Sequence, residues 1–242
     1  MSVKAVLHSE WTKIRSLPSL MTALLSGLVA TTGVTALVSA THDGKESGGD
    51  FDPVFFSFFG LNFGQIAAIC FGVLAVANEY AGGGIRVWLA AVPRRGLYYG
   101  CKLAVVGLCA LAVGLVTGFA SLLGGQALLG EQGVGPGAPG ALRAAVGCGI
   151  YLALLTVLSA GVAAVLRGPV GALGLLVPLL CFLSPVLGDG PAARFLPDRA
   201  GQQVLHATPD GPLGAWTGLG VLALWAAAAV WAGRLALARR DA

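Results

Sequence analysis

The residues best suited to act on something other than lipid lie in one stretch, Glu79-Tyr80-Ala81-Gly82-Gly83-Gly84-Ile85-Arg86-Val87-Trp88-Leu89-Ala90-Ala91-Val92-Pro93-Arg94-Arg95, which continues to Lys102. Three consecutive glycines permit a sharp turn. Ile85, Val87, Trp88, Leu89 and Val92 form a short apolar element with Arg86 among them, and Pro93 ends it ahead of Arg94 and Arg95. A short rigid element, partly apolar and partly cationic, suits docking into a groove on a soluble partner. The same residues also fit plain topology anchors lying against lipid, and composition alone weighs the two readings equally.

Catalytic constellations are missing from the sequence. His8, His42 and His206 all fall outside the apolar runs, and there is no HExxH, no paired carboxylates and no Gly-x-Ser-x-Gly elbow. Ser121 and Ser159 have no base at the same depth. Gly44-Lys45 is followed by Glu46 rather than Ser or Thr, and Gly82-Gly83-Gly84 leads into Ile85-Arg86, so neither forms a phosphate-binding P-loop. We therefore expect no enzyme activity, no metal and no cofactor bound by this chain. Cys70, Cys101, Cys109, Cys148 and Cys181 show no CxxC spacing and read as buried free thiols.

The elements that must position these residues are membrane helices. The chain has 242 residues, 56% of them hydrophobic and only 11% charged, with mean hydropathy +0.82. Soluble domains carry about 25% charged residues, so this chain cannot cover a water-facing surface. The net charge of +4 comes from basic residues scattered at helix ends, not from a patch or stripe, which argues against nucleic acid. The 37 glycines have no fixed period. Gly114xxxGly118 and Gly214xxxGly218 have the spacing that lets helix backbones approach closely, although such matches also arise by chance in a glycine-rich chain.

Apolar runs of about 20 residues predict six transmembrane helices in a single domain, at about 17–40, 57–78, 97–129, 142–166, 170–187 and 213–235. The first could be taken for a secretory signal, since Val38-Ser39-Ala40 imitates a cleavage site. Its apolar run exceeds the roughly 7–15 residues of a signal core, which favours a retained helix. Ahead of it, Val3, Leu7, Trp11, Ile14 and Pro18 recur at helical spacing among Lys4, His8, Lys13 and Arg15. This predicts an interfacial amphipathic helix over 3–16, with Trp11 at headgroup depth and cations facing anionic lipid.

Lys4, Lys13, Arg15, Arg86, Arg94, Arg95, Lys102, Arg167, Arg234, Arg239 and Arg240 fall on one side of this map, against Lys45, Arg143, Arg194 and Arg199 on the other. The asymmetry predicts cytoplasmic termini, a cytoplasmic segment 79–96 and an extracytoplasmic segment 188–212. Within the helices, Asn62, Gln65 and Asn78 on the second and Pro178, Ser184 and Pro185 on the fifth could line a path or serve only in helix packing. The Phe51, Phe55, Phe56, Phe58, Phe59 and Phe63 cluster could gate an external mouth or form an interfacial aromatic segment.

Three stretches carry a family resemblance. Glu10-Trp11-Thr12-Lys13-Ile14-Arg15-Ser16 is similar to the N-terminal signature of ABC-2 type transporter permeases, particularly those of actinobacteria. Glu79-Tyr80, Ile85-Arg86 and Leu89-Ala90-Ala91-Val92-Pro93-Arg94-Arg95 with Lys102 resemble that family's coupling segment, although the triple glycine departs from its usual polar-Gly alternation. Phe195-Leu196-Pro197-Asp198-Arg199-Ala200-Gly201-Gln202 is similar to its external segment before the last helix. The resemblance implies the ABC-2 (type V exporter) permease fold in a bacterial cell membrane, and two such subunits, identical or paralogous, paired with two ABC ATPase subunits that hold ATP and Mg. It implies contacts to the ATPase through Glu79, Tyr80, Ile85, Arg86, Trp88, Pro93, Arg94 and Arg95. It also implies a substrate path along the second and fifth helices, where Asn62, Gln65, Phe59, Phe63, Pro178 and Ser184 are the candidates. A membrane scaffold or sensor that recruits a soluble partner through the same segment is the alternative.

Overall fold

Two helices, α4 (Leu61–Tyr80) and α6 (Ala141–Leu166), are the most enclosed, and the others pack around them. The computed structural model describes residues 3–42, 51–80, 84, 95–186, 190, 193–209 and 212–239, and all regular structure among them is helical. The remaining long elements are α2 (Pro18–Ala40), α5 (Arg95–Leu128) and α9 (Ala215–Arg239), with α1 (Val3–Ser16) preceding them. Shorter helices are α3 (Pro53–Phe56), α7 (Pro169–Pro178) and α8 (Pro197–Gln202). Helices α2, α4, α5, α6 and α9 are long and apolar enough to cross a membrane. The chain is an all-α, multi-pass membrane protein.

Five of the expected spans coincide with these long helices to within a few residues. The expected span 170–187 has a different build. Helix α7 ends at Pro178, whose ring removes an N–H from the helical ladder, and the chain continues through a π-turn over Leu179–Leu183 into the single helical turn Ser184–Val186. A π-turn inside a helix is often associated with a functional site, and here it places Leu180 and Cys181 beside α4.

Helix–helix packing depends on small residues. Gly114 and Gly118 of α5 both meet α6, opposite Gly149 and Ala145, so this small-xxx-small pair does make a helix contact. A Cβ on Gly118 would run into the Ala145 carbonyl. Gly218 of α9 fits against Ala200 of α8, whereas Gly214, just ahead of α9, meets only Thr217 of its first turn. Gly60 and Gly64 press on Thr31 of α2, and Gly72 presses on Thr156 of α6. Without water to drive helices together, this close approach of backbones supplies the van der Waals contact that holds them.

Helix α1 has an inward face that the stripe read in the sequence marks only at Ile14. Val6, Glu10 and Ile14 face inward, while Val3 and Trp11 are exposed. Lys4, His8 and Arg15 also face outward, but Lys13 is drawn into the fold. Side chains three and four apart share a face, and the buried face here is set by a carboxylate, which an apolar-stripe reading assigns to the outside.

Gly118 and Gly124 of α5 provide a paired test. Gly118→Ala forces the helices apart and is expected to destabilise by roughly 1–3 kcal/mol. Gly124, with open space around it, is expected to tolerate alanine or gain up to about 1 kcal/mol of helix propensity. Melting temperatures of the two purified variants in the same detergent check this; equal shifts would refute the packing account.

Candidate functional site

At the α1 end of the bundle, four charged side chains close into a ring of alternating sign. Lys13 Nζ lies 2.5 Å from Glu10 Oε1 and 2.8 Å from Glu79 Oε1; Lys102 Nζ lies 2.7 Å from Glu10 Oε2 and 2.8 Å from Glu79 Oε1. Glu10 and Lys13 come from α1, Glu79 from the last turn of α4 and Lys102 from the second turn of α5. Glu10 is 2% exposed and Lys102 4%. Lys102 also donates to the Ala75 carbonyl at 3.2 Å, and Tyr98 donates its hydroxyl to Glu79. Both ammonium groups sit over the Tyr98 ring, 5.5 Å and 5.8 Å from its centroid.

The ring solves a local problem of burial. A lone ion at this site would carry a desolvation penalty of several kcal/mol. Two cations and two anions, each touching two of the other sign, leave no net charge. The ring also ties α1 to the two helices that flank residues 81–94.

Two residues singled out in the sequence meet here. Lys102, counted there among the residues that set orientation, lies buried on α5 in a specific ion-pair network. Glu79 is turned inward to Lys13, Lys102 and Tyr98. Of the other coupling residues, Tyr80 lies under the Arg167 guanidinium, 5.6 Å from its ring centroid, and Arg95 Nη1 donates to the Leu237 carbonyl at 2.9 Å. Ile85, Arg86, Trp88, Pro93 and Arg94 lie outside the described residues. Arg167 caps α6 in the left-handed region at φ 56°, a conformation that costs a non-glycine residue about 1–2 kcal/mol. That backbone turn delivers its side chain to Tyr80.

At the opposite end, a cavity of about 630 Å³ opens between α4, the π-turn and the segment around α8. Its inner wall is a hydrogen-bonded network: Tyr151 Oη donates to Gln65 Oε1 at 2.8 Å, Gln202 Nε2 reaches both at 3.4 Å, and Gln65 Nε2 faces Cys181 Sγ at 3.7 Å. Asp198, Arg194 and Arg199 line it with the side chains of Asn62 and Gln203. Burial pushes the Asp198 carboxyl above the usual carboxylate range, against the opposing pull of Ser184, nearby backbone N–H groups and the Arg199 charge. Ser184 sits beside Asp198, and its Oγ and Asp198 Oδ1 are both fully enclosed.

The rim is built by a second set of contacts. Asp52 caps α3 through the Val54 and Phe55 amides at 3.0 Å, accepts from Ala207 N at 2.8 Å and lies 3.6 Å from His206 Nδ1. Phe55 stacks on His206 with centroids 3.9 Å apart, and Arg143 Nη2 donates to the His206 and Ala207 carbonyls.

Of the six path candidates, Asn62 and Gln65 line this cavity and Ser184 adjoins it through Asp198. Phe59 and Phe63 are exposed on the outer surface, and Pro178 is exposed on α7; the structure does not bring these three to the cavity. Phe55, not Phe59, is the phenylalanine at the rim. Sequence reasoning missed Glu10, Tyr98, Lys102, Tyr151 and Asp198. Lys102 had a visible signal, a lysine within an apolar run, which marks a functional or paired residue by default. The other signal is the run from Arg194 to Gln203, in which two arginines bracket an aspartate and two glutamines follow.

Two measurements probe these ends. Glu10→Gln and Lys102→Met each break the ring and are expected to destabilise by roughly 3 kcal/mol, with the double variant losing clearly less than the sum; additive losses in detergent melts would show that the ring is not a unit. Asp198 gives the opposite sign to a salt-bridged acid. With its folded value above the unfolded one of about 3.9, stability is greatest below that value and falls as pH rises through the window up to the raised one. Asp198→Asn is expected to remove that decline, and a melting-temperature series across acidic pH that is unchanged by the substitution would contradict it.

Comparison with protein-family models and with curated proteins gives no match.

Proposed function

We propose that this chain is the permease subunit of an ATP-binding cassette exporter, forming a substrate path as a dimer and driven by separate ATPase subunits through residues 79–96. The observation that carries the reading is the charge ring. A segment that receives force from a soluble motor must pass it to the membrane helices without yielding, and the ring joins α1, α4 and α5 where 81–94 begins and ends. Arg95, bonded to the last turn of α9, and Tyr80, held by Arg167, extend the same attachment to α9 and α6.

In this reading Pro169–Val186 is a sixth span broken at Pro178, the α1 end is cytoplasmic and the chain sits in the bacterial cell membrane. The excess of Lys and Arg at the α1 end supports that orientation. The inner wall at Gln65 supports a polar path between α4 and the π-turn.

Co-expression with ABC ATPase subunits, chosen from neighbouring reading frames that carry a Walker A motif, followed by affinity capture through a tag on this chain, tests the proposal. Wild type is expected to retain the ATPase, and Arg86→Glu with Arg94→Glu to lose at least 90% of it while this chain's melting temperature stays unchanged. Capture of no ATPase by the wild-type chain would overturn the exporter reading.

A further inference from the structure

One face of α1 is left uncovered by the bundle, and its charge is uncompensated. Lys4, His8, Trp11 and Arg15 are all exposed, and residues spaced by four, three and four positions form one stripe along a helix. Val6, Glu10 and Ile14 occupy the buried side. Glu10 and Glu79, the described carboxylates at this end, both face Lys13 and Lys102 inside the ring. Lys4, His8 and Arg15 make no ion pair among the described residues. The ring thereby cancels the negative charge of this end and leaves the outer face of α1 positive.

Position decides what meets that face. Helix α1 ends at Ser16 and α2 begins at Pro18, with only Leu17 between them. Arg15 therefore stands within one helical turn of a helix long and apolar enough to cross the membrane. Helix α2 is little covered by the rest of the protein, so lipid beside it reaches the end of α1. An open cleft of about 430 Å³, lined by His8, Trp11, Thr12, Arg15 and Ser16, lies at that end. A guanidinium in it suits a phosphate, which it can grip with two hydrogen bonds. Val3, Trp11 and Leu17 are exposed beside the cations, and tryptophan favours the boundary between bilayer and water. A second copy presenting the same stripe would oppose like charges. A soluble acidic segment would match the cations but not the apolar side chains beside the span.

We propose that the outer stripe of α1 seats an anionic phospholipid, with its phosphate held by Arg15 in the cleft and Lys4 meeting the surrounding negative charge of the bilayer surface. Interfacial placement alone would bring any lipid to this helix; the stripe selects by headgroup charge. Lys13, which the sequence groups with these cations, takes no part, because the ring holds it. The site stands independently of the exporter reading, since it rests only on which face α1 buries.

The test uses the full-length chain in a neutral detergent, titrated with phosphatidylglycerol or with phosphatidylcholine of the same acyl chains, and reads retained lipid by native mass spectrometry. Phosphatidylglycerol is expected to bind more tightly by about 5-fold or more. Lys4→Gln and Arg15→Gln are each expected to weaken its binding about 5-fold, and the pair about 25-fold. Both side chains are exposed, so phosphatidylcholine binding and the melting temperature are expected to stay unchanged. Arg194→Gln, an exposed arginine at the opposite end, is expected to leave phosphatidylglycerol binding as it is. Equal binding of the two lipids overturns the proposal and leaves the face to a soluble partner. A preference that survives in the double variant overturns it too, since the lipid then sits elsewhere. So does displacement of the lipid by an equal concentration of inorganic phosphate, which marks a plain anion site.

Discussion

A carboxylate or ammonium withdrawn from water must find its opposite or give up its charge, and the structure meets this demand with a closed circuit. Glu10, Lys102, Glu79 and Lys13 each touch two partners of opposite sign. The placement of α1 follows from that circuit, since its inward face holds Glu10 between Val6 and Ile14. The entry of α5 follows too, because Lys102 must reach across to Ala75 and both carboxylates. Removing one member leaves charge without compensation, whereas replacing several by apolar groups of similar volume need not be costly. Such a ring fixes geometry more than it adds stability.

The far end obeys the same demand with neutral groups. Gln126 donates to the Pro53 carbonyl and the Ser57 hydroxyl and accepts from Val134 and Gly135 amides, which ties α5, α3 and the following loop together. Gln65, Tyr151 and Gln202 do the same across α4, α6 and α8. Asp198 Oδ1 and Ser184 Oγ depart from this pattern of satisfied polar groups.

What could be read from the sequence follows from which signals are local. Helix positions were legible because an apolar run as long as a bilayer is thick has little use except to cross one, and α2, α4, α5, α6 and α9 lie where expected. The π-turn was not, because Pro178 announces a break without giving its form. Glu10 and Lys102 stand 92 residues apart, and a count of lysines by side treats every lysine as an anchor. The phenylalanine cluster divides for a related reason: Phe55, Phe58 and Phe59 are close in sequence, yet one stacks on His206, one is buried and one faces outward. Gln65 was found because a glutamine in an apolar helix needs partners. Asp198 was overlooked because it lies outside the long apolar runs, where a charged residue is unremarkable.

The length of α5 has a consequence of its own. Its 34 residues amount to about 51 Å of helix, against a hydrocarbon layer of about 30 Å. An ordinary tilt of about 20° shortens its projection only slightly, so the helix must stand proud of the apolar layer. The stretch from Lys102 to Gln126 measures about 36 Å at 1.5 Å per residue, close to that thickness with a margin at each side. One residue belongs to the charge ring and the other to the cluster that ties α3 to α5. Helix α5 therefore acts as a ruler: its two polar marks are spaced by the bilayer, and a chain so poor in charge places its few polar contacts at the depth where water begins.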